Sequence, residues 1–361
     1  MQTIYLVLSF DHELSLGRVT TSYADNLFRP TDAILDVADE CAVPITLFTD
    51  VLCGIRHREW GVREFVEPYE EQSRDAVRRG HEVELHLHPH WLDVDSPRAT
   101  QTPSRYSLHD FKDEPHPRNI PGIVDQGVGF LTDLCRTVDP SYAPVAFRAG
   151  GFAICPSTAE ILTALARRGI RIDSSTIKGY RFSSELWSVD FRHAPADANW
   201  FVDLGGPIDR PARSGIFEVP IVSVRRSALS SLGVFVRRAR HRGKAHRPTG
   251  IPIYAGRDSL AAKVRRQLVP SSWMLTFDLY FWTASNLVDM LADYVRRHRA
   301  ADVVYASVLS HPKNMGPSNV RLMREFVELA RKRYGESLQF CRFRDIDRRL
   351  GLDAGSAPSG P

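Results

Sequence analysis

Apolar and polar positions along the chain follow two periods. Short apolar runs predict strands at 4–10, 44–50, 81–88, 144–148, 170–174, 215–224, 303–310 and 338–341. Between them, apolar residues recur every three or four positions, which predicts helices at 31–43, 62–79, 120–137, 157–169, 284–298 and 317–334. This repeated strand–helix order predicts parallel strands with helices outside them, either as a barrel or as a doubly wound sheet.

The organisation predicted from these patterns is one domain over 1–350. Two stretches that lack the regular pattern, at about 92–118 and 176–282, are interpreted as insertions. The polar tail 351–361 is predicted to be disordered.

Titratable residues stand where several predicted strands end. Asp11, His12 and Glu13 follow the apolar run at 4–8, and such groups are costly to bury unless something binds them. Arg148 ends another predicted strand, and His311 follows the apolar run at 303–310. Strand ends meet on one face of a parallel barrel, so this placement favours the barrel over the open sheet.

The segment HEVELHLHPH carries four histidines. Strand alternation places Val83, Leu85 and Leu87 on one face and Glu84, His86 and His88 on the other. Pro89 then ends the strand, and the turn lets His86 and His90 face each other. Two imidazoles and one carboxylate suit a zinc site that keeps a position open for water.

Four motifs, SFDHE, GHEVELHLHPH, FRAGGF and SHP, occur in this order. They resemble the motifs of the NodB-homology polysaccharide deacetylases, also called carbohydrate esterase family 4. The resemblance implies an α/β fold, a distorted (β/α) barrel of about seven parallel strands. It also implies a divalent metal, usually Zn²⁺, that is held by one carboxylate and two histidines.

The resemblance also implies roles for individual residues. Asp11 matches the family's catalytic base, His86 and His90 match its metal ligands, His311 matches its general acid, and Arg148 matches the arginine that orients the base. The implied activity is hydrolysis of an N-acyl group, acetyl in the first instance, by a metal-polarised water. The implied substrate is an amino sugar in a polysaccharide or glycoconjugate precursor.

Three positions depart from the family pattern. His12 stands where most members have a second aspartate, and alternation favours Glu13, on the same side as Asp11, as the carboxylate ligand, with His12 as the alternative. Gly150 and Gly151 replace the usual Pro-Tyr, so a substrate oxyanion there would meet a backbone N–H. Asp173 is the candidate acidic partner of His311, and an ordinary turn residue is the alternative interpretation.

Two other functions are compatible with these residues. His86-x-His88 also resembles the H-x-H pairs of amidohydrolase barrels, which would indicate a small non-sugar amide as substrate. The departures from the pattern also leave open a catalytically inactive, sugar-binding relative.

Composition and charge limit the classes of binding partner that we expect. The chain has 361 residues, is 43% hydrophobic and 25% charged, and carries a net charge of +4, which argues against a general polyanion binder. Charge is concentrated in 225–266, where twelve Lys and Arg accompany the single acid Asp258. This basic segment suits a phosphate-bearing carrier or an anionic membrane, or it is a solvated insertion. There is no groove-reading motif, so no specific nucleic-acid partner is expected.

The cysteines and the N-terminal residues indicate in which cellular compartment the protein works. Five scattered cysteines without a CxxC pair predict a reducing environment. A basic leader and an 18-residue apolar span are both missing from the sequence. We therefore expect a cytoplasmic protein, with peripheral contact at the inner membrane face, and a nucleotide-linked or lipid-linked substrate.

Overall fold

The computed structural model describes residues 2–97, 105–226, 228–244, 250–252 and 271–352. The tail predicted to be disordered, from 353 onward, lies outside them, as do 98–104 of the first insertion and 245–249 and 253–270 of the basic segment.

Strands and helices alternate along most of the described residues, but seven short strands follow one another between residues 172 and 225. The strands are β1 (Thr3–His12), β2 (Gly17–Val19), β3 (Ile45–Asp50), β4 (Glu82–Leu87), β5 (Ala146–Ala149), β6 (Ile172–Asp173), β7 (Arg181–Ser183), β8 (Ser188–Asp190), β9 (Trp200–Val202), β10 (Pro211–Ala212), β11 (Ile216–Glu218), β12 (Ser223–Arg225), β13 (Gly250–Pro252), β14 (Ser272–Met274), β15 (Val303–Ser310) and β16 (Leu338–Phe340). The helices are α1 (Arg29–Glu40), α2 (Val51–Glu59), α3 (Arg63–Arg78), α4 (Ile120–Arg136), α5 (Thr158–Arg167), α6 (Ala228–Arg240), α7 (Ala284–Arg297), α8 (Pro317–Tyr334) and α9 (Phe343–Leu350).

The central sheet is mostly parallel. Its strands run in the order β15-β1-β3-β4-β5-β6-β11, and every neighbouring pair in that series is parallel. Strands β9 and β10 extend the sheet beyond β11 with antiparallel pairing. The predicted α/β fold with about seven parallel strands is confirmed. Helices α2, α6 and α9 were not predicted from the pattern.

The sheet closes on itself beyond β11. Ile221, three residues after β11, forms parallel bridges to Ile177 and to Ser307 of β15. Between Glu218 and Tyr305 the two strands splay, and the side chain of Asn199 fills the gap. It donates to both carbonyls, at 3.1 and 2.8 Å, and accepts from the Tyr305 N–H at 2.9 Å. A side chain thus replaces missing ladder hydrogen bonds at the seam of the barrel.

Alternation divides β1 into two buried faces. Leu6, Leu8 and Phe10 pack in the large cluster beneath the surrounding helices. Tyr5 and Val7 point the other way, into the smaller cluster inside the barrel. Farther along that inner face the residues become polar, and this is where the candidate site lies.

Within the described ranges, no helix is both long enough and apolar enough to cross a membrane.

Replacing the seam residue tests the closure of the barrel. Asn199→Ala leaves backbone groups of Glu218 and Tyr305 without partners, so we expect the free energy of unfolding to fall by about 1–3 kcal/mol. Urea denaturation measures it. Asn286→Ala is the control, because that side-chain oxygen has no hydrogen-bond partner, and we expect a change within about 0.5 kcal/mol. Equal effects of the two changes would contradict the role given to Asn199.

Candidate metal and acid–base site

Chemically active side chains lie at the carboxyl ends of neighbouring barrel strands. Asp11 lies at the end of β1, with Glu13 after it. His86 lies near the end of β4, Arg148 lies in β5, and His311 directly follows β15. Because these strands are parallel, their carboxyl ends open on the same rim. All five side chains are buried or nearly so.

Glu13, His86 and His88 form a compact group of potential metal ligands. One ligand atom from each lies within 4.8 Å of the others, and all three residues are buried. Oε2 of Glu13 lies 3.3 Å from Nε2 of His86 and also contacts Nε2 of His88. One carboxylate and two imidazoles match the donor set expected from the sequence, but the second histidine is a different one.

The structure places His88, and not His90, beside His86. The chain stays extended through His88, so two residues at spacing i, i+2 point to the same side. Pro89 then starts a short 3₁₀ turn that carries His90 onto the ring of Tyr106, with ring centroids 5.7 Å apart. The geometry thus favours His88 as the second histidine of the ligand group, whereas the sequence predicted His90.

Hydrogen bonding prepares His86 to bind a cation. Its Nδ1 lies 2.8 Å from the carbonyl oxygen of Arg148, so Nδ1–H donates there, and Nε2, 3.3 Å from Oε2 of Glu13, is the ring nitrogen left to bind a cation. Burial alone would lower the pKa of His86, but the carboxylates of Asp11 and Glu13 outweigh it and raise that pKa. Burial likewise opposes ionisation of Glu13, but Lys313 and the histidines hold its pKa well below the usual range. These buried donors fit a divalent metal ion.

His12 faces away from this group. Its Nε2 lies 2.9 Å from Oε1 of Gln72, and its ring stacks on Tyr69. Burial lowers the pKa of His12 to about 4, so the ring is neutral at pH 7. The structure thus places Glu13, and not His12, among the potential ligands.

Asp11 is fixed by a fully buried arginine. Nη1 of Arg148 donates to Oδ1 of Asp11 at 2.6 Å, while Nη2 donates to Ser9 at 2.8 Å and Nε donates to the carbonyl of Ser174 at 3.0 Å. The other carboxylate oxygen, Oδ2, lies 3.9 Å from Nε2 of His86 and 3.7 Å from Nε2 of His311. Asp11 therefore presents one oxygen to the ligand group.

His311 is held by Asp278. Its Nδ1 lies 2.6 Å from Oδ2 of Asp278, and its backbone N–H donates to Oδ1 at 2.8 Å. Nε2 is left to face Asp11 and Glu13, each at 3.7 Å. Burial would lower the pKa of His311, but the Asp278 carboxylate outweighs burial and raises it.

Asp173 lies in a separate buried pair. It accepts from Ser175 Oγ at 2.7 Å, it bonds to Glu218, and burial raises its pKa. The carboxylate that contacts His311 is that of Asp278, whereas the sequence predicted Asp173 there. The signal for Asp278 in the sequence is a lone acid directly after the apolar run 273–277.

Lys313 is a site residue that the sequence interpretation missed. Its Nζ donates to Oε1 of Glu13 at 2.5 Å and to the carbonyl of Leu14 at 3.2 Å. It follows His311 by two residues and stands directly after the SHP motif.

Gly150 and Gly151 border the ligand group. A Cβ on Gly150 would come within 2.5 Å of the Leu87 carbonyl and 2.8 Å of His88 Nδ1, so only glycine fits there. Gly151 has a φ of 58° and accepts from Trp187 Nε1 at 3.1 Å. The glycine pair lets the backbone approach His88 closely.

Comparison with solved structures identifies the fold. A crystal structure named as a polysaccharide deacetylase from Mycobacterium smegmatis is 13% identical over 98% of this chain and 92% of its own, with a TM-score of 0.50. An allantoinase is 11% identical over 96% and 89%, with a TM-score of 0.46. A family 4 carbohydrate esterase from Streptomyces lividans, in complex with acetate, is 8% identical over 94% and 92%, with a TM-score of 0.39.

Comparison at the level of sequence gives no family, because no protein-family model and no curated protein matches the chain. The barrel and its similarity to the Mycobacterium smegmatis structure show that the chain has the NodB-homology polysaccharide deacetylase fold.

Replacing each candidate partner of His311 in turn tests which carboxylate raises the pKa of that histidine. Asp278→Asn removes the charge that raises the pKa of His311, so we expect that pKa to fall. Titration of the imidazole resonances by NMR measures it. Asp173→Asn is the matched control and should leave the pKa of His311 close to its original value. A larger shift from Asp173→Asn would restore the partner expected from the sequence.

Proposed function

We propose that this protein is a metal-dependent hydrolase that removes an N-acyl group, acetyl in the first instance, from an amino sugar. The observation that carries the proposal is the arrangement of two charged pairs around the ligand group. Asp11, held by Arg148, lies 3.9 Å from His86, and His311, held by Asp278, lies 3.7 Å from Glu13. A base and an acid next to a carboxylate–histidine group suit amide hydrolysis.

Glu13, His86 and His88 would hold the metal, with Zn²⁺ as the first candidate. When bound, such a cation lowers the pKa of a bound water from about 16 toward about 7 and polarises the acyl carbonyl. The residues around it supply the remaining steps.

Asp11 acts as the general base. Arg148 occupies Oδ1, so Oδ2 is the oxygen that accepts the proton of the attacking water. Arg148 has no exposed surface, and its hydrogen bond to Oδ1 fixes the direction of the Asp11 carboxylate. A backbone N–H near Gly150 or Gly151 donates to the oxyanion of the tetrahedral intermediate.

His311 acts as the general acid. Its Nδ1–H is directed at Asp278, so Nε2 carries the proton that goes to the departing amine nitrogen. An amine is a poor leaving group unless it is protonated, so this proton transfer is needed for the C–N bond to break. The products are a free amino sugar and the carboxylic acid, acetate for an acetyl group.

We infer a substrate that belongs to glycoconjugate assembly and carries phosphate, through a nucleotide or a lipid. Support comes from the part of the basic segment that the structure describes. Arg238, Arg240 and Arg242 are exposed at the end of α6 and just after it, and Arg225 is exposed at the end of β12. Such a surface would bring the enzyme to an anionic membrane that presents the substrate. We therefore propose that the reaction takes place at the inner membrane face, in the cytoplasm.

Metal content and turnover together test the catalytic proposal. His88→Ala should reduce bound Zn²⁺ from about one per chain to near zero, whereas His90→Ala, the matched control, should retain it. Asp11→Asn and His311→Ala should retain the metal and lose at least about 100-fold in acyl release from N-acetylated nucleotide sugars or lipid-linked oligosaccharides. Plasma emission spectrometry and an acetate assay measure the two quantities.

Three results would contradict the proposal in different ways. Normal deacylation by Asp11→Asn would remove the assigned base. Turnover of small amides alone would indicate an amidase, and metal binding without any turnover would indicate a sugar-binding protein.

Liposome flotation tests the membrane contact. The protein should float with vesicles that contain phosphatidylserine, and changing Arg238, Arg240 and Arg242 to Glu should abolish flotation at physiological salt, since each basic residue contributes about 1 kcal/mol near the surface. Changing Arg29, Arg63 and Arg296 to Glu is the matched control, because these exposed arginines lie elsewhere on the fold. Flotation that ignores lipid charge, or that both triple changes affect equally, would contradict the contact.

A further inference from the structure

Lys313 contacts Glu13 at the edge of the ligand group and has no role in the reaction just proposed. It belongs to a short 3₁₀ turn, Pro312–Asn314, directly after β15. Only 8% of the residue is exposed. Burying an ammonium group costs hydration and side-chain freedom, so it needs a strong local partner. Here that partner is Glu13.

Glu13 divides its two oxygens between different neighbours. Oε2 lies against Nε2 of both His86 and His88, while Oε1 accepts from Nζ of Lys313 at 2.5 Å. The carbonyl of Leu14 also accepts from Nζ, at 3.2 Å, which keeps the ammonium on the Oε1 side. The carboxylate therefore presents a single oxygen to the histidines.

An ammonium group has three donors and no acceptor, so it cannot itself coordinate a cation. Its positive charge nonetheless lies on one side of the Glu13 carboxylate, and a divalent ion held by Oε2 and the histidines would lie on the other side. Like charges repel each other more strongly in a partly buried site than in water. Lys313 therefore acts on the ligand group in two ways, by occupying Oε1 and by repelling the cation.

We propose that Lys313 is a positioning residue that keeps Glu13 a one-oxygen ligand and weakens the binding of the divalent cation. This inference rests on the metal site proposed above. A carboxylate that bound through both oxygens would take up one more coordination position. Catalytic metal sites need positions for water and substrate, so restricting Glu13 keeps the site open.

Four variants of the full chain test the proposal by metal binding, independently of activity. Lys313→Gln and Lys313→Met remove the charge, Lys313→Arg keeps it, and Lys332→Met removes an exposed lysine on α8. The dissociation constant for Zn²⁺ is measured by competition with a chromophoric chelator at fixed pH and salt. The visible absorption of the Co²⁺-loaded protein reports coordination number, because its intensity falls as ligands are added.

We expect both neutral variants to bind Zn²⁺ about tenfold more tightly or better, with weaker Co²⁺ absorption than the wild type. Lys313→Arg and Lys332→Met should stay within about threefold of the wild type. Two neutral variants of different polarity guard against a folding defect in one of them, and thermal melting checks each.

Zinc affinity that is unchanged or weaker in both neutral variants overturns the proposal. So does Co²⁺ absorption equal to that of the wild type. Either result leaves the proposed function standing if the wild type binds metal and deacylates. A wild-type chain that binds no Zn²⁺ contradicts the proposed function itself, so the two failures are distinguishable.

Discussion

The buried ion pair between Arg148 and Asp11 is the interaction on which the rest of the candidate site depends. The guanidinium lies inside the barrel over the ring of Phe48, and it also donates to Ser9 and Ser174. It therefore ties β1, β5 and the end of β6 together at one level of the rim. Removing one partner of a buried pair leaves an uncompensated charge that costs about 3–5 kcal/mol. The register of these strands and the direction of Asp11 are thus set by the same contacts.

Glu13, like Asp11, is a buried carboxylate whose charge is balanced by neighbouring side chains. It is buried and ionised, and it lies among His86, His88, His311 and Lys313. A carboxylate in such surroundings is stable only because cationic or hydrogen-bonding neighbours replace its lost hydration. A metal ion bound here would enter a site whose positive neighbours already share that carboxylate.

The insertion at 176–282 is part of the barrel and of the site. It supplies β11, the bridge through Ile221 that closes the sheet, and the seam residue Asn199. It also supplies Asp278, which turns His311 toward the ligand group. The sequence pattern could not reveal the contact between Asp278 and His311, because a residue that pairs with another 33 positions away has no local periodicity to mark it. Asp173, at a predicted strand end, had the better local signal, but it belongs to a separate buried pair with Glu218.

The sequence alone determined the features that depend on the spacing of apolar and polar residues within single strands and helices. Strand–helix alternation predicted parallel strands in a barrel or a doubly wound sheet, and the titratable residues at the strand ends favoured the barrel. The period of two placed Glu13 on the side of Asp11 and His88 on the side of His86, because successive side chains of a strand point in opposite directions. Only the tertiary structure decided that His88 reaches Glu13 while the turn at Pro89 carries His90 onto Tyr106. It likewise decided that Lys313 shares Glu13 across 300 residues of sequence. Such contacts depend on where different strands end in space, which no local pattern encodes.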